Sequence, residues 1–349
     1  MKKKHLLTIV FIAFYAFGFS QDTIKTFIPD DQQAEKLYNE GISLYDGKKY
    51  SEALQKFNEA ITINASFDKA IYNRGSLKLD MKDYNGAIAD FNKTIELQPN
   101  SAKAYFSRGQ AKYQLKDKQG AVEDYSMAVE KDPNYSQAFY YRGGLRFELN
   151  EFQKAIDDFT AAINLKPDYA YAYNDRASAK RKLEDLKGAL EDYKQATKIN
   201  PKLAFAYNNM GSVRKKLDDL DGAIADFSTA INLKSDYYIA LNNRGSAKLE
   251  KDDYKGAIDD FTSSLKINPK YAYALNNRGN AKFKLKDLKG AVADYDEAIK
   301  INPDYGYAYL NRGIVKEMLR DAKGACADWS KAASLGVNNG DNYVKQQCK

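Results

Sequence analysis

Histidine is all but missing from the 349 residues: the one copy is His5, inside the first 20. Beyond that point, His-dependent general-base catalysis and nearly every common catalytic zinc site are excluded. No glycine-rich phosphate loop and no nucleophile with a partnering base stand out, so the sequence reads as a non-enzyme with no cofactor and no metal. Neither charge sign dominates either. There are 54 Lys+Arg against 47 Asp+Glu, a net charge of +7, and three of the positive residues are Lys2, Lys3 and Lys4. The rest of the chain is closer still to neutral, too mild a balance for a nucleic-acid binder. One long apolar run exists, from Leu6 to Phe19, and it is shorter than the about 20 residues a membrane span needs.

That run follows a lysine cluster and ends in Gly18 and Ser20, the pattern of a secretory signal over residues 1–20 with cleavage before Gln21. The expectation is a secreted or periplasmic protein with no stable membrane insertion after cleavage. Residues 21–33 then form a lead-in, and a hydrophobic content of 44% allows either two ordinary cores or one long repeat array.

What is present is a period of 34. Gly41, Gly75, Gly109, Gly143, Gly211, Gly245, Gly279 and Gly313 share one register, with Ala177 in the single gap. Ala53, Ala87, Ala121, Ala155, Ala189, Ala223, Ala257, Ala291 and Ala325 repeat without exception, each followed four residues on by Phe, Tyr or Trp. Six of the seven prolines fall eight residues after that aromatic. The spacings place the small residues on helical faces, so each unit reads as two helices. Aspartates such as Asp83, Asp117 and Asp253 stand where the second helix needs its N-cap, and proline ends it. Such a hairpin cannot bury its apolar face alone and must stack on its neighbours.

This combination of period, glycine, Ala-x-x-x-aromatic and terminal proline resembles the tetratricopeptide repeat family over residues 34–339. The resemblance implies an all-α, right-handed superhelical solenoid of nine 34-residue helix-turn-helix repeats. It further implies a concave groove lined by first helices, and a protein or peptide partner. The reading is an interaction scaffold that holds an extended polypeptide; a glycan-binding module using a Tyr-rich groove is the alternative.

The chain departs from the family pattern where leucine is usual before the glycine. Arg74, Arg108, Arg142, Arg176, Arg244, Arg278 and Arg312 stand there, each with an aspartate 16 residues later and a second cation four residues on. Glu40 and Lys56 reverse the charges, and Met210 is the exception, leaving Asp226 to Arg214. The swap points to ion pairs between the two helices of each hairpin, partly exposed and contributing about 0.2–1 kcal/mol each.

Asparagines recur two residues before the glycine. Asn209, Asn243, Asn277 and Asn311 therefore form the expected peptide-holding line, with Tyr237, Tyr271, Tyr273 and Tyr307 beside it for selectivity. Bonding between neighbouring helices is an equal alternative for these amides. Arg181, Lys182, Lys215 and Lys216 form a basic spot. Cys326 and Cys348 are expected to join, folding residues 340–349 back as a cap after a turn containing Gly336, Asn338, Asn339 and Gly340.

Overall fold

The computed structural model describes residues 30–348; the expected signal segment 1–20, its expected cleavage point and residues 21–29 of the expected lead-in lie outside them. The described residues form α-helices and no strands. They group into two units, one ending at Gln98 and the other beginning at Pro99. The first holds two hairpins, α1 (Asp30–Asp46) with α2 (Tyr50–Ile63) and α3 (Asp68–Asp80) with α4 (Tyr84–Leu97). The second begins with α5 (Ala102–Gln114), α6 (Lys118–Lys131), α7 (Ser136–Glu148), α8 (Phe152–Leu165), α9 (Ala170–Lys182) and α10 (Leu186–Ile199). It continues through α11 (Ala204–Lys216), α12 (Leu220–Leu233), α13 (Tyr238–Glu250), α14 (Tyr254–Ile267), α15 (Ala272–Lys284) and α16 (Leu288–Ile301). The last hairpin is α17 (Gly306–Met318) with α18 (Ala322–Ser334), followed by α19 (Asn338–Gln347).

Two sets of glycines recur in most hairpins. Those in the 34-residue register of the first helices sit against the aromatic of the second helix: a Cβ on Gly245 would lie 2.8 Å from Phe261 Cε1, and one on Gly313 2.5 Å from Trp329 Nε1. The rings are fully buried, so the helices meet at a distance that only hydrogen allows. Gly245→Ala is accordingly expected to cost about 1–3 kcal/mol in urea unfolding. Ala177 over Tyr193 shows that one hairpin accommodates the methyl.

The second set is legible only once the caps are seen. Asp83, Asp117, Asp185, Asp219, Asp253, Asp287 and Asp321 each accept a hydrogen bond from the backbone N–H of a glycine three residues on. A Cβ on any of those glycines would fall 2.1–2.3 Å from the capping carboxylate. Hairpins whose second helix is preceded by Lys49 or Glu151 have no such cap and carry Glu52 or Lys154 in the glycine's place. Proline stands two residues after the last residue of most second helices, yet α2 and α12 end at the equivalent point, on extended Asn64 and Lys234, without it.

The cation–aspartate pairs form, and they are tighter than partly exposed pairs. Arg244 Nη2 and Nε lie 2.7 and 2.9 Å from the two oxygens of Asp260, and Lys248 Nζ lies 2.8 Å from Oδ2. The same triad recurs with Asp90, Asp124, Asp158, Asp192, Asp294 and Asp328. Including Asp226, these carboxylates are only 2–8% exposed. Losing one partner would therefore strand a buried charge, which is a larger effect than losing a surface pair. Lys56 and Glu40 make the reversed pair at 3.0 Å.

The arginines also reach back one hairpin. Their Nη1 donates to Asn58 from Arg74, Ser126 from Arg142, Thr160 from Arg176, Ser228 from Arg244, Thr262 from Arg278 and Asp296 from Arg312. Every acceptor is 16 residues earlier. Sixteen residues before Met210 stands Lys194, which has nothing to accept with and would repel an arginine. That accounts for the exception. Arg214 divides itself between Asp219, at 2.7 Å, and Asp226, whose Oδ2 is 2.9 Å from Nε but poorly aligned for a hydrogen bond. Burial pushes the Asp226 carboxyl up to about 6, against the pull of Arg214 and with a further push from Asp219. Its unfolded value is about 3.9. The native state thus holds the extra proton between these values, and stability should rise as pH falls from 7 towards 4 through this group. The double substitution Met210→Arg with Lys194→Ser should abolish that contribution and stabilise the protein at pH 7, as read by urea midpoints across pH.

Candidate functional site

Successive first helices α7, α9, α11, α13, α15 and α17 are neighbours, and one face of each carries the polar residues singled out above. Residues 35 apart meet across adjacent hairpins. Asn243 Nδ2 donates to Asn208 Oδ1 at 3.0 Å, Asn277 to Asn242 at 3.1 Å and Asn311 to Asn276 at 2.9 Å. Asn242 and Asn276 also approach Asn243 and Asn277 at 3.4 Å, and Asn208, Asn242 and Asn276 are buried. Asn243, Asn277 and Asn311 are engaged in the seam between hairpins, the arrangement of the alternative reading of these amides, because the tandem asparagine of the preceding repeat offers a buried carbonyl within reach. Each keeps one N–H and part of its oxygen for other use.

Asp175 and Tyr141, which stand where the asparagine pattern is interrupted, are rungs of the same seam in different chemistry. The Tyr140 hydroxyl donates to Asp175 Oδ2 at 2.8 Å, and Phe106 meets Tyr141 edge to face at 5.4 Å. In the first unit, Asn73 donates to the Tyr38 hydroxyl at 3.2 Å. One rung is missing. Among the described residues, Asn174 gives its Nδ2 to Asp175, at 2.8 Å, and its Oδ1 is buried without a partner, while Asn209, the residue 35 further on, makes no side-chain hydrogen bond. Both line a hollow of about 450 Å³ with Glu148, Asp175, Ser178 and Arg181. Of the four asparagines read from sequence, Asn209 is therefore the one whose amide is wholly unengaged among the described residues.

The tyrosines divide. Tyr237 and Tyr271 are half-buried in the joints between repeats, with Lys234 over the Tyr237 ring at 5.5 Å and Tyr238 against Tyr271 at 5.0 Å. Tyr273 and Tyr307 are exposed, 53% and 60%. The rings of Tyr271, Tyr273 and Tyr305 meet at 57° and 60°, which is not the flat platform that stacking on a sugar would use. The basic spot is partly neutralised: Lys215 pairs with Glu250 at 2.6 Å and Lys216 with Glu184 at 3.3 Å.

Cys326 and Cys348 form a disulfide, with Cα atoms 5.6 Å apart, and α19 packs on the last hairpin through Val337, Tyr343 and Val344. The turn is narrower than the sequence suggested. Gly336 alone has a left-handed φ of 82°, while Asn338, Asn339 and Gly340 are helical, so the capping helix starts two residues before 340. Gly340 is small because a Cβ there would lie 2.7 Å from the backbone of Ala333 and Trp329. Among the described residues no helix is long and apolar enough to cross a membrane, and no group of three or more potential metal ligands is gathered.

Family models described as tetratricopeptide repeat match residues 72–136, 208–272 and 272–305, and one described as TPR repeat matches 177–218; together they span more than half of the chain. A model described as anaphase-promoting complex subunit 5 matches only residues 120–168. No relative is found among curated proteins. Solved structures with a similar fold include a tetratricopeptide repeat protein from Parabacteroides merdae, at 19% identity and TM-score 0.59, covering 71% of this chain and 99% of that one. Another is the C-terminal part of a TPR repeat-containing protein from Cytophaga hutchinsonii, at 18% and 0.57, covering 69% and 98%. The Cut9–Hcn1 hetero-tetramer of the APC/C aligns at 15% and 0.57, covering 94% and 79%. Members of this family typically act as non-catalytic scaffolds that bind protein or peptide partners. By its repeat sequence and by its paired helices, the chain belongs to the tetratricopeptide repeat family.

Proposed function

We propose that the protein is an interaction scaffold outside the cytoplasm that holds an extended polypeptide segment across the first-helix face of its second unit. The observation that carries this is the missing rung. Where every other tandem asparagine is bonded to its neighbour, the Asn174 carbonyl is buried unpaired and the Asn209 amide is unused. A buried carbonyl without a donor is costly, and a peptide N–H or a shifted Asn209 would relieve it. An extended chain offers donors and acceptors alternately, matching an array of side-chain amides.

Asn209→Ala should weaken capture of the natural partner without moving the melting temperature, since its amide holds nothing in the free protein. Asn277→Ala should lower the melting temperature by breaking a seam bond. A destabilising Asn209→Ala with binding per folded molecule intact would remove the groove reading. For the location, intact mass of the protein from its native source should begin at Gln21; retention of residues 1–20 would make it a membrane-anchored scaffold instead.

A further inference from the structure

Gly144 has no packing reason to be glycine. It lies inside α7, where glycine costs helix stability, and a Cβ on it would meet nothing within 4 Å. The same slot holds Ser, Gln, Asn or Ile in the other hairpins of this unit. What its missing side chain does is leave open the floor shared by two adjoining hollows. One, of about 210 Å³, is walled by Tyr113, Tyr125, Tyr140 and Tyr141 with Glu148 at its edge; the other is the hollow of Asn174 and Asp175.

The charges around this floor are unlike those elsewhere in the array. The buried aspartates carried by the second helices each have one or two first-helix cations against them, whereas Asp175 is held only by the neutral Tyr140 hydroxyl and Asn174 amide. Burial raises its pKa, as expected for a carboxylate without a counter-charge. Glu148 accepts from the Tyr113 hydroxyl at 2.8 Å and pairs with Lys118 at 2.9 Å. Arg181 also lines the second hollow, beside the Tyr193 hydroxyl. Rings at other places in the unit already carry a cation, such as Arg142 over Phe139 and Arg176 over Tyr173; among the described residues none lies over the four tyrosines of the box.

We infer that this tyrosine box, opened by Gly144 and backed by Asp175 and Glu148, receives a lysine or arginine side chain of the bound segment. The inference rests on the polypeptide reading above and names its chemistry. Ring faces attract a cation, the more so when it is desolvated, and Asp175 supplies the missing counter-charge.

The test is an NMR titration of the full mature chain with capped Gly/Ser peptides carrying one central arginine, citrulline or glutamate. The arginine peptide should bind about tenfold more tightly than the citrulline one. Asp175→Asn keeps an acceptor for Tyr140 and should erase that preference. Gly144→Leu should fill the floor and weaken arginine binding while the melting temperature holds or rises. Equal binding of arginine and citrulline peptides, no binding of either, a preference for glutamate, or a preference that survives Asp175→Asn would each overturn the subsite. A natural polypeptide captured through Asn209 alongside any of those results would leave the polypeptide reading standing, so the two failures are distinguishable.

Discussion

Asp260→Ala is expected to cost about 3 kcal/mol, far more than a surface ion pair, because it strands Arg244 and Lys248 against a carboxylate-shaped gap in the hairpin. Arg244→Met should cost less. Lys248 still faces Asp260, as Arg214 alone faces Asp226 in the hairpin where methionine occurs naturally. A double-mutant cycle between positions 244 and 260 should therefore return a clear coupling energy, and a value near zero would restore the picture of a solvated charged face. The first hairpin supplies the template for a rescue. It has Glu40 and Lys56 in reversed order and Leu44 where the second cation would stand. The triple substitution Arg244→Glu, Lys248→Leu and Asp260→Lys should recover much of the stability that either reversed charge alone removes. Urea unfolding of the four cycle members and the triple variant decides it.

Removing the disulfide is expected to be the second large effect, about 3 kcal/mol for a loop of this size in the chain-entropy account. The loss should be local. Cys348→Ser leaves α19 held by Val337, Val344 and the stacking of Tyr343 on Trp329, whose ring centroids are 4.7 Å apart. Trp329 is the sole tryptophan in the chain, so its fluorescence reports the fate of the cap without interference. In the Cys348→Ser variant its emission should shift to the red at urea concentrations where far-ultraviolet circular dichroism has barely changed. Coincident transitions, unchanged from the native protein, would show that the bridge adds nothing to the cap.

The sequence spoke most clearly where one residue type has one physical use. Glycine in the first helix, alanine four residues before an aromatic, and aspartate at a helix start each repeat at 34, and each lands where packing or capping requires it. The pairs 16 apart were equally readable because a charge swap within the chain betrays a contact. Their burial was not, since periodicity fixes which residues meet and not how much water remains around them. The seam of asparagines was harder for a related reason. Its partners are 35 apart, one off the repeat, so alignment by period places Asn243 beneath Asn209 and conceals that its partner is Asn208. The second glycine set and Lys194 follow the same logic: their meaning depends on a neighbour in space, the capping carboxylate for one and the slot of Met210 for the other. Gly144 did not stand out, because its column already varies among Ser, Gln, Asn and Ile; only the absence of any atom near its Cβ position separates an opening from a close contact.

The central claim is that a polypeptide lies across the first-helix face at the missing rung. Photo-crosslinking from single positions tests it most directly, with the probe at Ser178 in the Asn174–Asn209 hollow or at Glu191 on the exposed side of α10. In cells of the native source, the probe at 178 should capture one polypeptide reproducibly and the probe at 191 should not; capture from 191 with none from 178 would contradict the account.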